Sequence, residues 1–164
     1  MKKRILAFVT VIALAVLGSS VLLAESNPFI GTWQQDMAKS KYAEGGPVAL
    51  SRSITYESQG DQIKSTHDAV RNDGTHLTWT YTGKFDGKDY PITWTGARNA
   101  ADQTDTISVK RPNANTFEAI QKKGGKVVTT ARAVVSKDGK TMTITAKGTD
   151  AKGQPVTNVT VYEK

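Results

Sequence analysis

Beyond Asn27 the chain alternates apolar and polar residues with a period of two almost without pause, and turn signals recur about every ten residues. Such a pattern suits extended chain whose successive side chains point to opposite faces, and it does not suit a helical bundle. Threonine, valine and isoleucine are abundant in it, as half-buried strands favour. The reading is all-β, about ten strands in one antiparallel up-and-down barrel. The strands are expected at Ile30–Gln35, Ala49–Ser58, Gln62–Asn72, Thr75–Phe85, Asp89–Thr95, Thr104–Arg111, Asn115–Lys122, Lys126–Ser136, Lys140–Gly148 and Gln154–Glu163. Asp36–Tyr42, ahead of Gly45-Gly46-Pro47, alone has helical potential.

The run HLTWTYTGKF shows the alternation most clearly. Leu77, Trp79, Tyr81 and Phe85 share one face, while His76, Thr78, Thr80, Thr82 and Lys84 share the other. MTITAK repeats the pattern, with Met142, Ile144 and Ala146 opposite Thr143, Thr145 and Lys147. Turn chemistry then relates one strand to the next. Asn72-Asp73-Gly74 and Lys137-Asp138-Gly139 each suit a three-residue hairpin loop closed by a left-handed glycine. Such a loop pairs odd positions with odd and even with even. Ile63, His67 and Ala69 then join the face of Leu77 and Trp79, and Arg132 and Val134 join that of Met142 and Ile144. Asp86-Gly87 suits a two-residue turn, which places Trp79 near Trp94 and Tyr81 near Ile92.

The amino terminus has a different logic. Lys2, Lys3 and Arg4 precede an apolar run from Ile5 to Val16, and Gly18, Ser19 and Ser20 interrupt the apolar segment before it ends at Ala24. This is the order of a cleavable secretory signal, expected over Met1–Ala24, with Ser20 as a competing last residue. A membrane anchor is the alternative, but the small residues break the run and no positive cluster comes after it. With no cysteine the chain offers no site for a lipoprotein anchor, disulfide, thiol nucleophile or cysteine zinc centre. Removing 24 of the 164 residues leaves 140, one domain able to bury a core without staples. The net charge of +7 includes the three positive leader residues, so the exported form carries +4. Its lysines are scattered through turns, which favours a solvated surface over a nucleic-acid or polyanion face. The exported form is expected to be a soluble monomer in the periplasm or outside the cell.

The two ends of this region carry a resemblance. NPFIGTWQQDMAKSKY, with Phe29, Gly31, Trp33 and Tyr42 at its spaced positions, resembles the opening of fatty-acid-binding proteins and the related lipocalins. VTTARAVVSKDGKTMTITAKG and NVTVYEK look like their closing strands. The resemblance implies a ten-stranded barrel around a small hydrophobic or amphipathic ligand. In that family an arginine on the eighth strand and an Arg-x-Tyr pair on the tenth hold the ligand carboxylate. Arg132 matches the first and Tyr162 the tyrosine, but Thr160 stands where the second arginine belongs. The family's two-helix lid is missing or reduced to Asp36–Tyr42.

Each candidate ligand-binding residue has a plainer alternative. Arg132, placed inward by both turn parity and the resemblance, either forks onto an anionic or carbonyl ligand, pairs internally with Tyr162 or a carboxylate, or leans out at the mouth. Arg52 shares the face of Leu50, Ile54 and Tyr56; it either enters the pocket in place of the missing arginine or snorkels from a strand end. His67 near Trp79 is better explained by a threonine or tyrosine hydroxyl partner than by a metal, since His76 falls on the outer face and nothing has metal-ligand spacing. Tyr56, Trp79, Tyr81 and Trp94 either line a cavity or simply fill a small barrel, and Trp33 reads as the structural closure of its base.

Asn158-Val159-Thr160 matches a glycosylation sequon but lies within a strand of a chain whose leader looks bacterial. No nucleophile elbow, phosphate-binding glycine loop or HExxH pattern occurs, and Asp61, Asp73, Asp86, Asp138 and Asp150 sit in turns. The expectation is a non-enzymatic carrier without metal or cofactor. A filled-barrel interaction module and an envelope-surface binder are the alternatives.

Overall fold

The computed structural model describes residues 27–43, 49–71, 73–96, 103–149 and 152–164. The expected signal peptide, Gly45-Gly46-Pro47 and most of Gly96–Gln103 lie outside them, as does the side chain of Leu50. Eleven strands succeed one another: β1 Gly31–Lys41, β2 Ala49–Gln59, β3 Gln62–Arg71, β4 His76–Gly83, β5 Asp86–Pro91, β6 Thr93–Gly96, β7 Thr106–Asn113, β8 Thr116–Lys123, β9 Lys126–Val135, β10 Thr141–Thr149 and β11 Pro155–Glu163. They form one antiparallel sheet in the order β5-β7-β8-β9-β10-β11-β1-β2-β3-β4-β6.

The two ends of that order are one stretch of chain. Asp86–Pro91 pairs with β7 and Thr93–Gly96 with β4, and Ile92 between them donates its N–H to Asp105 O at 2.9 Å. The single strand expected at Asp89–Thr95 therefore changes partner midway, and the sheet becomes a nearly closed barrel with little free edge. Trp79 pairs with Trp94 as the turn parity predicts, but the ladder stops at Thr80 and Thr93. Tyr81 and Ile92 follow the last ladder pair without joining it, and Asp86-Gly87 sits in a bulge of β5 rather than in the expected two-residue turn. The Tyr90 ring acts as a wedge here, and a Cβ on Gly83 would come within 2.6 Å of it, so only glycine lets that ring rest on the β4 backbone.

Asp36–Tyr42 is not helical. β1 runs through it to Lys41 with a wide bulge, in which Asp36 faces Val161 and Lys41 faces Val159. Side chains satisfy the bulged backbone: Asp36 Oδ1 accepts from Lys39 N at 3.1 Å, and Ser40 Oγ donates to Asp36 O and accepts from Val161 N. So short a segment does not recover the cost of nucleating a helix, and the β11 edge beside it offers strand hydrogen bonds instead.

The two hairpins predicted to be alike differ by one residue. At the first, Arg71 and Thr75 close a three-residue loop, and Ala69 faces Leu77 and His67 faces Trp79, as expected. At the second, Ser136 N donates to Thr141 O at 2.8 Å, so four residues, Lys137–Lys140, form the loop. Gly139 (φ 71°) completes its turn, Ser136 Oγ donates to Asp138 and accepts from Thr141 N, and Asp138 accepts from Lys140 N. The extra residue reverses the parity. Val135 faces Met142, Ala133 faces Ile144, and Arg132 faces Thr145 on the outside.

On β8, β9 and β10 apolar bulk inside the barrel declines from the base upward, and polar residues stand at the top. Along β9 the inward residues run Val135, Ala133, Ala131, Thr129; along β10 Met142, Ile144, Ala146; along β8 Phe117, Ala119, Gln121. The base is filled by Phe29, Trp33, Ile54, Val109, Phe117 and Met142, each at most 5% exposed. Trp33 donates its indole N–H to Phe29 O at 2.8 Å, a satisfied closure of the kind expected from the sequence.

Candidate functional site

The loss of side-chain bulk opens a cavity of about 350 Å3 in the upper half of the barrel, partly open to solvent and reaching the top at Arg71, Gln121 and Thr129. Its volume lies in the range of small-molecule sites. Three walls of different character enclose it.

On β2 and β11 the wall carries polar groups, backed by Gln35 and Tyr42. Arg52 points in, with its guanidinium 5.6 Å from the centre of the Tyr42 ring. Tyr42 Oη lies 3.4 Å from Thr160 Oγ1 and accepts from Gln35 Nε2, whose other amide atom, Oε1, is buried without a hydrogen bond. Burial pushes the Tyr162 phenol up to about 12, although the Arg52 charge nearby opposes that shift. Thr160, where the resemblance implies a second arginine, borders the cavity, and Arg52 borders it from β2, two strands away in the sheet.

On β3, β4 and β6 the wall is aromatic. His67 and Trp79 are cross-strand partners whose rings stack at 3.6 Å and 11°. Trp94 is the next partner across the sheet, its ring centre 5.8 Å from that of Trp79 and its N–H bonded to Thr104 O at 2.7 Å. Tyr81 comes after Trp79 along β4, 6.2 Å away. Tyr56 lies on β2 beside them, and its hydroxyl bonds to Ser65, which in turn is 2.9 Å from His67 Nε2. The hydroxyl partner of His67 is therefore Ser65, rather than the threonine or tyrosine expected from the sequence. His76 is exposed, and no cluster of metal-ligating residues occurs among the described residues. Burial first, and the Arg52 charge second, hold the His67 imidazole down to about 3; burial raises the Tyr56 and Tyr81 phenols well above their usual range.

On β8, β9 and β10 the wall is mainly apolar, with Gln121 and Thr129 at its top and small residues at its centre. Ala119 faces Ala131, which faces Ala146, so three methyl groups stand in one row across the sheet.

Arg52, Tyr56, His67, Trp79, Tyr81, Trp94 and Tyr162 all border this space. Arg132 does not. Its side chain is 52% exposed on the outer surface and pairs with Glu118 at 2.8 Å on the neighbouring strand. The inward placement fails because the second hairpin holds four loop residues rather than three. Such an exposed pair contributes about 0–1 kcal/mol. Arg132→Met is accordingly expected to change stability in urea unfolding by no more than about 1 kcal/mol; a larger loss would mean that the arginine is buried after all. Arg71, which sequence reasoning missed, does reach the cavity rim. Its signal is present in the same odd-numbered face as Ile63, His67 and Ala69.

The depressed His67 fixes a pH dependence. The folded state keeps His67 neutral where the unfolded chain, with an ordinary imidazole near 6.5, binds a proton. Its contribution to stability is therefore complete above about pH 6.5 and is lost as the pH falls toward about 3, with a slope of at most about 1.4 kcal/mol per pH unit. Unfolding free energies measured across this window should show a shallower decline in His67→Gln than in the parent. Identical slopes would place the imidazole in water.

No family model matches the sequence, and no curated protein matches it. Among solved structures, zebrafish ileal bile acid-binding protein, in its complex with cholic acid, matches over 84% of this chain and 98% of its own. The TM-score is 0.54 and the identity 13%. The chain shares that protein's fold.

Proposed function

We propose that this chain is an exported, non-enzymatic carrier that holds one small amphipathic molecule, acidic at one end, inside its barrel. The observation that carries the reading is the cavity itself: about 350 Å3, with Arg52 and Tyr162 on one wall and apolar or aromatic groups on the others. An inward guanidinium and phenol offer charge-assisted hydrogen bonds to a carboxylate, and the remaining walls take the apolar body. Arg71 at the rim adds positive charge on the way in. The solved structure of like fold carries cholic acid, an amphipathic acid, which agrees with this division of labour. The leader-like Met1–Ala24 supports export, and the lack of a recognisable catalytic motif in the sequence supports a binding role.

Native mass spectrometry of protein purified from its own host, with mild denaturation afterwards, tests both parts. A mass corresponding to residues from Glu25 (or Val21) plus one small acidic molecule is expected. An intact Met1 on membrane-bound protein would refute export. Failure of both the native protein and an extract-incubated sample to retain any small molecule would refute the carrier role and favour the interaction module.

A further inference from the structure

We propose that the cavity selects flat, conjugated ring systems over saturated molecules of the same size. The inference rests on the carrier reading and narrows its ligand class. It starts from the ladder His67, Trp79 and Trp94, contributed by three adjacent strands at directly paired positions. Neighbouring strands lie about 5 Å apart. Rings from two of them can stack at 3.6 Å and 11° only with their normals running along the sheet, from strand to strand. The His67 and Trp79 planes therefore stand on edge, and their C–H and N–H rims, rather than their faces, meet the cavity.

The rims of aromatic rings are electropositive and their faces electronegative. A wall of rims is complementary to a π face laid across it, in edge-to-face contact, and has no such complementarity to a saturated ring or chain. In the sheet order the row Ala119, Ala131 and Ala146 lies across the barrel from β2, β3 and β4. Its methyl groups form a low, even surface against which the second face of a flat ligand can lie. With Arg52 at the polar side, the occupant is a planar aromatic or heteroaromatic acid.

The probes are 2-naphthoate, its saturated analogue decahydronaphthalene-2-carboxylate, and decanoate, each titrated calorimetrically into the purified protein. All three carry one carboxylate. The two bicyclic acids share a skeleton, and the saturated one has slightly more apolar area, so burial alone favours it. The expected result is that 2-naphthoate binds about tenfold more tightly than its saturated analogue, the scale of two or three ring–ring contacts. The rim protons of His67 and Trp79 that point at the ligand's π face should also move upfield on binding. In Trp79→Leu, or in Trp94→Leu should the first not fold, the preference should fall below about threefold. Equal or tighter binding of the saturated acid, or binding of decanoate alone, would overturn the ring selectivity and leave the carrier reading intact. Binding of none of the three would overturn both. An undiminished preference in both folded tryptophan variants would overturn the assignment of selectivity to this wall.

Discussion

Trp33→Ala is expected to destabilise the protein by about 3–5 kcal/mol, the range for deleting a large buried aromatic. Trp33 is fully buried at the base of the barrel, where β1 lies between β11 and β2. The Lys164 ammonium sits over its ring at 4.9 Å, and its N–H satisfies the carbonyl of Phe29, itself fully buried against Tyr56 and Phe117. Removing the indole opens a void that these neighbours cannot close, because the strand ladders on both sides hold the backbone apart. It also leaves the Phe29 carbonyl without its partner. Trp33→Phe separates the two effects. It keeps most of the ring and loses the hydrogen bond, so about 1–3 kcal/mol should go. Urea unfolding monitored by far-ultraviolet circular dichroism measures both variants. A loss below about 1 kcal/mol for the alanine variant would mean that the base is not the packed end.

Arg52→Met is expected to weaken decanoate binding by about 10- to 150-fold, the equivalent of about 1.5–3 kcal/mol for a hydrogen bond to a charged group. Decanol, with the same chain and no charge, should lose far less. Arg132→Met, altered on the opposite side of the sheet, should bind both like the parent. A second readout does not depend on any ligand. The Arg52 charge contributes to the depressed His67, so the His67 imidazole should titrate at a higher pH in Arg52→Met, seen by proton resonance of the ring. Unchanged decanoate affinity would remove Arg52 from the site. An unchanged His67 titration would show that the guanidinium does not face it.

The candidate site divides along the same line as these two arginines. Tyr56, His67, Trp79, Tyr81 and Trp94 are legible in the sequence because each lies on a strand whose inward face is marked by its own alternation or by its pairing with a strand so marked. Arg52 is legible as one of two options, since Ile54 and Tyr56 share its face. The cavity is not legible. Aromatic residues that line a space and aromatic residues that fill one give the same pattern, and only the alignment of Ala119, Ala131 and Ala146 across three strands leaves the space open. Each of those alanines is unremarkable in its own strand.

Period-two alternation is a local property, set by backbone geometry within each strand, and so the all-β class, the meander and the membership of each face can be read directly from the chain. Which face turns inward is not local. On β9 it depends on whether the loop after Val135 holds three residues or four. That is decided by Ser136 and Asp138 bonding across the turn, together with the choice between burying Ala131, Ala133 and Val135 or burying an arginine. Asp36–Tyr42 runs as strand because the edge of β11 lies beside it, and Asp86–Gly96 splits because Tyr90 wedges against Gly83. In each case the local preference is weak and a partner distant in sequence supplies the deciding hydrogen bonds or contact, which only the closed barrel brings within reach.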